Sequence, residues 1–488
     1  MTSNSMKTRV FIVLLLTSLI LSACGGSAAT ATQPAATEAA VATQPVATTG
    51  PAFTVIGTIN RDATQAAQSP SLTLTATNGL LTAWAENSSG GVRQVFVSQL
   101  ATDAFQPLGA SLNIHTNVLA DSPSITVAGE NRAVPWVAWS EPSPGFGNVA
   151  QVFASRFSVD TGLWQQAGQD RGGGEATLNI NTKRAATHPF IFSGSTELGA
   201  PPVPWVAWEE VSNANPSSVQ IFVAKGVKDD SGDTAVIGGF RWETVGQIKE
   251  DGEQTLNVDR FRISAHPTGV FAETANSVPW VTWQEGGRDK PSRIFTARGV
   301  ADANSPGGFK WINVPACGED EAACALNINP LNDAKDASMT AGSVVAGEST
   351  VPWIVWPEIG QNGKWQIFVS RLDTSTRNSF LQVGGSLNID PNHDAKTPII
   401  VFIGNVPYVT WLEDDGTGKF EIQLRHLASD PQTGTWALDT PASGFNLDAT
   451  QSNFNLAAVA SSDTLFLAWG EGDPASAASQ MVIGAFHP

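Results

Sequence analysis

Basic residues are scarce in this chain. Its 488 residues include 27 Lys plus Arg against 45 Asp plus Glu, a formal net charge of −18. So few cations make a poor match for a phosphate backbone, which excludes a nucleic-acid partner. The acidity fits an exported protein kept soluble by its own charge. Cysteine occurs three times, at Cys24, Cys317 and Cys324. Two thiols in "CGEDEAAC" with no nearby histidine do not make a zinc site. Outside the cytoplasm they read as a disulfide, Cys317 to Cys324, across a small loop. Tyrosine occurs once, at Tyr408. No Gly-x-Ser-x-Gly, His-Glu-x-x-His or phosphate loop is present. The apolar run from Val10 to Leu21 has 12 residues, too short to span a bilayer.

What is present begins with that run. Lys7 and Arg9 precede it, as in a signal peptide. It ends in Leu21-Ser22-Ala23-Cys24-Gly25-Gly26, which resembles the lipobox of bacterial lipoproteins. The resemblance implies cleavage before Cys24 and a lipid on its sulfur and new N-terminus. Residues 1–23 are then the signal peptide, and the protein is exported and held to the cell membrane by that lipid. Residues 24–50 are mostly Ala, Thr, Gln and Pro with almost no large apolar side chain. Such a segment cannot bury enough surface to offset chain entropy and reads as a flexible tether. Residues 51–488 form the folded domain.

That domain is written as a repeat. Trp-x-Glu occurs at Trp84/Glu86, Trp139/Glu141, Trp208/Glu210, Trp283/Glu285, Trp356/Glu358, Trp411/Glu413 and Trp469/Glu471, at intervals of 55 to 75 residues. The run before it is "VPWVAW" or close to it, apolar on both alternating faces. A second run follows ("QVFVSQL", "QIFVAKG"), then a third ("FQPLG", "WETVG") and a fourth ("PSITV", "PIIVF"). Four short β-rich runs per repeat, bounded by Gly, Pro, Asn and Asp, predict a four-stranded antiparallel sheet. Sheets covered on both faces stack around an axis, so the fold class is all-β, a seven-bladed β-propeller. The last repeat lacks its final strand. "AFTVIGTINRDATQAAQSP" at the start of the domain matches "AFQPLGASLNIHTNVLADSP" at 104–123, with ten residues from Asn60 to Pro70 as from Asn113 to Pro123. The N-terminal strand therefore completes blade seven and closes the ring.

Three sets of residues are candidates for function. The first is the repeated Glu (Glu86, Glu141, Glu210, Glu285, Glu358, Glu413, Glu471) with the repeated Asn (Asn113, Asn179, Asn257, Asn327, Asn388). In the usual propeller layout both point to one face. They make either seven equivalent ligand pockets, as in a multivalent glycan-binding propeller, or fold chemistry in which side chains bond loop N–H groups. The second is the residue just before strand one: Ser69, Ser122, His188, His266, Asp336, Thr397. His188, His266 and Asp336 stand in consecutive blades, and two His with one carboxylate suit a divalent metal such as calcium. "DPNHD" (Asp390, Asn392, Asp394) and "DDSGD" at 229–233 are shorter acidic turns. The third is the cation of strand three, Arg156, Lys225, Arg298 or Arg371, set to pair with acids or with a carboxylated glycan.

Two resemblances bear on function. "SVDTGLW" at 158–164 and "SDPQTGTW" at 429–436 resemble the Asp-boxes of sialidase-like propellers. Sialidases use a Tyr nucleophile and an arginine triad, whereas Tyr408 fills a core slot of the repeat, so that catalytic set does not carry over. The "W..VG…QIFVSR" rhythm is similar to seven-bladed bacterial lectins. The sequence expectation is a monomeric, non-catalytic recognition module for a glycan or cell-surface polymer. A protein-binding scaffold and a sialidase-like or metal-assisted hydrolase stand as alternatives. The long insertions "GQDRGGGEAT", "GQIKEDGEQT" and "ACGEDEAACA" are expected to make one side of the ring the ligand side.

Overall fold

β-Branched and aromatic residues alternate through "VPWVAWSE", which favours extended backbone, and its proline sits near the strand start where a missing N–H does little harm. In the computed structural model this segment is the strand Val134–Ser143, almost wholly buried. The structure describes residues 51–488, apart from 103, 250–251, 260, 288–289, 319, 474–475 and 477–478. The signal-peptide, Cys24 and tether readings fall outside the described residues. All regular structure described is strand, plus five short 3-10 turns.

The strands form seven four-stranded antiparallel blades of a β-propeller. Blade 1 runs from its inner strand Ala67–Leu74 through Leu80–Asn87 and Arg93–Ala101 to the outer Ala104–Pro107. Blades 2 to 6 repeat the order over residues 121–166, 186–244, 263–313, 338–382 and 395–438. Blade 7 takes Asn453–Ala460, Leu465–Glu471 and Gln480–His487 from the C-terminus and Ala52–Thr58 from the N-terminus. Phe53 pairs with Phe486 and Thr58 with Val482, so the two chain ends zip the ring shut as the repeat arithmetic predicts. Blades 3 and 4 share one parallel pair, Val219 with Ile263.

The core lies between blades. Trp136, Trp139, Trp205, Trp208, Trp280, Trp283, Trp353 and Trp356 are all fully buried, two from each of blades 2 to 5. Burial of such large side chains is the main stabilising term of the ring. Cys317 and Cys324 are joined in a disulfide, closing the turn between blades 4 and 5.

Candidate functional site

The repeated glutamates are buried clasps. Glu86 accepts the indole N–H of Trp84 at 2.8 Å and the backbone N–H groups of Arg61 and Asp62, both at 2.8 Å. The same three donors, one indole and two successive loop N–H groups, converge on Glu141, Glu210, Glu285, Glu358, Glu413 and Glu471. Burial pushes the Glu210 carboxyl up to about 7 against the pull of those donors. Glu141, Glu285 and Glu358 are raised for the same reason. Each clasp ties a blade's second strand to the loop entering that blade.

The asparagines do complementary work. Asn113, Asn179, Asn257, Asn327 and Asn388 each accept a third-strand N–H through Oδ1 and donate Nδ2–H to backbone carbonyls. Both sets serve the fold, the second of the two readings: all twelve are buried and engaged inside the wall.

What varies between blades lies at the central channel. A cavity of about 660 Å³ runs along the inner strands of all seven blades. Six inner strands carry a bulge near their start, as between Gln68 and Ser71 and between Thr187 and Phe190. At this place Ser69, Ser122, His188, His266, Asp336, Thr397 and Asn455 all have φ between 45° and 53°. None is glycine, so each carries a left-handed strain of roughly 1 kcal/mol. In those six blades the bulge re-aims the side chain at the rim of the channel. The sequence placed six of these residues before the strand; Ser69, Ser122, His188, His266 and Thr397 lie within it, Asp336 precedes its strand as expected, and Asn455 is the seventh.

On the rim the residues of blades 1 to 5 form a polar arc. Asp121 holds Arg93 at 2.5 Å and accepts from Ser69 and from the backbone of Ser122. His188 Nδ1 lies 3.1 Å from Glu209 Oε2. Glu209 is nine-tenths buried and also accepts the backbone N–H of His266 at 2.8 Å. The His266 ring is 5.3 Å from that of His188, and its Nε2 is 3.5 Å from Asp336 Oδ1. Gln284 accepts the backbone N–H of Asp336. Both imidazoles remain close to half exposed, at 48% and 45%. The hydrogen bond to Glu209 raises the His188 pKa, opposed by partial burial. On the other side of the rim, Pro398, Ile399 and Leu456 form an apolar wall. His266, Asp336 and Thr397 face that wall across a cavity of about 470 Å³.

The three proposed metal ligands do not converge on one point. His188 turns to Glu209 while His266 turns to Asp336, so the three proposed ligands stand in a row rather than around a point. Among the described residues no three His, Cys, Asp or Glu side chains are placed to hold a metal ion. The acidic turns are engaged too: Asp390 caps the N–H of Asn392, and Asp394 holds Lys364 and the N–H of Trp365. Arg156, Lys225 and Arg371 pack over the rings of Phe240, Phe309 and Trp353. Tyr408 is buried, and burial pushes its phenol up to about 12, unsuited to a nucleophile.

Glu209, Gln284, Arg93 and Asp121 were not singled out from sequence. A signal existed. The residue between Trp and Glu reads Ala85, Ser140, Glu209, Gln284, Pro357, Leu412 and Gly470, and it is this variable slot that backs the rim.

One glutamate of each insertion is engaged. Glu175 accepts from Ser143 at 2.6 Å and lies 3.1 Å from His115. Glu253 accepts from Ser212 and the backbone of Asn213. Glu321 gathers Lys290, Arg262 and Arg293.

No family model matches the chain, and no curated protein matches it. Among solved structures it is similar to a protein of unknown function from Dyadobacter fermentans, at 10% identity and TM-score 0.44, covering 89% of this chain and 99% of that one. It is similar to the GH93 alpha-L-arabinofuranosidase of Fusarium graminearum, at 9% identity and TM-score 0.45, covering 88% and 96%. It is also similar to the Trypanosoma rangeli sialidase, at 9% identity and TM-score 0.42, covering 83% and 62%.

Proposed function

We propose that this propeller is an extracytoplasmic recognition module, tethered through a lipid on Cys24, that binds a sugar of a glycan or cell-surface polymer at the channel mouth. The observation that carries this is the split rim. Two half-exposed imidazoles, each beside a carboxylate, line the channel cavity that Ile399 and Leu456 also line. A sugar ring presents hydroxyl edges and a C–H face, and it needs both kinds of wall. With one ring nitrogen held, each imidazole offers the other to a hydroxyl. The strained rim holds these groups in place before the ligand arrives. The domain acts as a monomer and does not turn its ligand over.

A second reading rests on the His188–Glu209 pair, because a buried carboxylate behind an imidazole also suits a general base. One experiment serves both. Residues 51–488 are applied to a glycan array with and without calcium. Selective binding that falls at least about tenfold, roughly 1.4 kcal/mol, in His188→Ala/His266→Ala at unchanged thermal midpoint supports recognition at the mouth. Binding untouched by the double variant contradicts it. Ligand cleavage by the wild type, lost in Glu209→Gln, favours the hydrolase. Silence across the array moves the weight to a protein ligand.

A further inference from the structure

Neighbouring blades are latched on the outer wall by tryptophan. In blades 2, 3, 4 and 6 an outer-strand indole N–H donates to a carbonyl of the preceding blade. The pairs are Trp164 to Leu108 at 2.7 Å, Trp242 to Ala167 at 2.8 Å, Trp311 to Val245 at 3.0 Å and Trp436 to Val383 at 3.0 Å. Each indole lies against the glycine after that carbonyl. A Cβ on Gly109, Gly168, Gly246 or Gly384 would meet the indole at 2.8, 3.0, 2.9 or 3.1 Å. Only glycine lets the ring approach this closely.

The closure seam between blades 7 and 1 keeps the backbone of this latch and lacks the indole. Ile56-Gly57 stands at the place of Leu108-Gly109, and Phe105 at the place of Trp164. A Cβ on Gly57 would meet nothing within 4 Å. Phenylalanine has no N–H to offer a carbonyl. One further residue breaks the pattern here. Arg61 takes the position of Ile114, Ile180, Val258 and Leu447, whose N–H groups likewise go to the clasp glutamate. Its guanidinium lies 4.3 Å from the Phe96 ring centre and donates to the Gly109 carbonyl at 2.7 Å. A cavity of about 600 Å³ opens beside Gly57, lined by Thr58, Ile59, Arg61, Ser98, Phe105 and Pro107.

We infer that this seam is a docking slot for an exposed tryptophan side chain of a protein partner. The ring itself supplies the argument. Four copies of the slot are filled by indole bonded to the carbonyl; the fifth has the glycine and the open space. The adjacent guanidinium favours an electron-rich ring, and a buried aromatic anchor is what protein interfaces use most. The occupant comes from another protein. Residues 1–50 contain neither Trp nor Tyr. All 16 tryptophans of the chain are buried or half-buried, so a second copy has none to give. The slot is separate from the channel mouth.

The test titrates N-acetyl-5-fluorotryptophanamide onto residues 51–488 and follows the ligand by fluorine NMR, which the protein's own tryptophans do not obscure. Saturable binding with a Kd of about 1–10 mM is expected for so small a probe. Unlabelled N-acetyltryptophanamide should displace it and N-acetylalaninamide should not. Phe105→Trp restores the missing latch. It should abolish probe binding and leave the thermal midpoint equal or higher. Thr58→Trp, at an exposed edge of the slot, should block it without touching the core and serves if Phe105→Trp does not fold. His188→Ala/His266→Ala should bind the probe as the wild type does. No saturable binding, or binding unchanged in both tryptophan variants, overturns the inference.

Discussion

At the scale of the residue, the clasp glutamate decides most. Its two oxygens take three N–H donors in a buried site, and hydrogen bonds to a charged group contribute about 1.5–3 kcal/mol each before desolvation is offset. Glu210→Gln keeps the shape and replaces one acceptor oxygen with an NH2 that faces a backbone donor. We expect a loss of about 2 kcal/mol, read from the midpoint of urea unfolding. A midpoint unchanged by this substitution would show the clasp to be incidental. The pH dependence has a definite sign. Burial lifts Glu210 from 4.5 to about 7, so between these values the folded chain binds more protons than the unfolded one. Stability from this group is full below 4.5 and falls as pH rises through 7. The thermal midpoint should be higher at pH 5 than at pH 8, and Glu210→Gln should narrow the gap. The opposite trend belongs to Asp62 and Asp390, held below 3.8 chiefly by hydrogen bonds from Thr64 and Asn392, and it appears only in stronger acid. The recurrence of Glu and Asn was plain in the sequence, but their use was not. A pocket and a clasp need the same residue in every blade, and only the partner atoms tell them apart. The left-handed rim was hidden for another reason: Ser, His, Asp and Thr do not announce a positive φ as glycine does.

At the scale of the element, the insertions and the outer strands matter. Glu321 sits in the turn closed by the disulfide and reaches Arg262, which is fully buried. Removing the carboxylate leaves that guanidinium with the longer 3.7 Å contact to Asp259. Glu321→Ala should cost about 3 kcal/mol, more than a surface ion pair. A charge-neutral loss, seen as an unchanged unfolding midpoint, would place the stability of this turn elsewhere. The insertions of blades 2 to 4 are also where a ligand at the mouth is expected to gain further contact. Replacing residues 170–174 with a short turn should weaken binding while Glu209 and His188 stay in place. Unaltered affinity would remove these loops from the site. Strand positions were legible because the Trp-x-Glu spacing and the bounding turns repeat. Disulfide pairing was legible because only two cysteines remain after Cys24. The tryptophan latch was half legible. The outer-strand indoles stood out as repeat positions, yet their acceptor lies 53 to 75 residues away in the neighbouring blade.

At the scale of the whole molecule, the ring is one cooperative object because its last blade is built from both chain ends. Phe53 packs edge-on against Phe445, and its strand covers the edge that Gln480–His487 would otherwise expose. An open ring loses that ladder and the seam core of Phe53, Trp469 and Phe486. The closed ring holds the seven strained rim residues at the mouth and sets the slot at the closure seam. The most direct measurement compares thermal unfolding of residues 51–488 with that of residues 60–488. The account predicts one sharp transition for the first. It predicts a midpoint lower by at least about 10 °C for the second, recovered in part by adding the peptide of residues 51–59. Equal midpoints for the two chains would mean that the N-terminal strand does not close the ring.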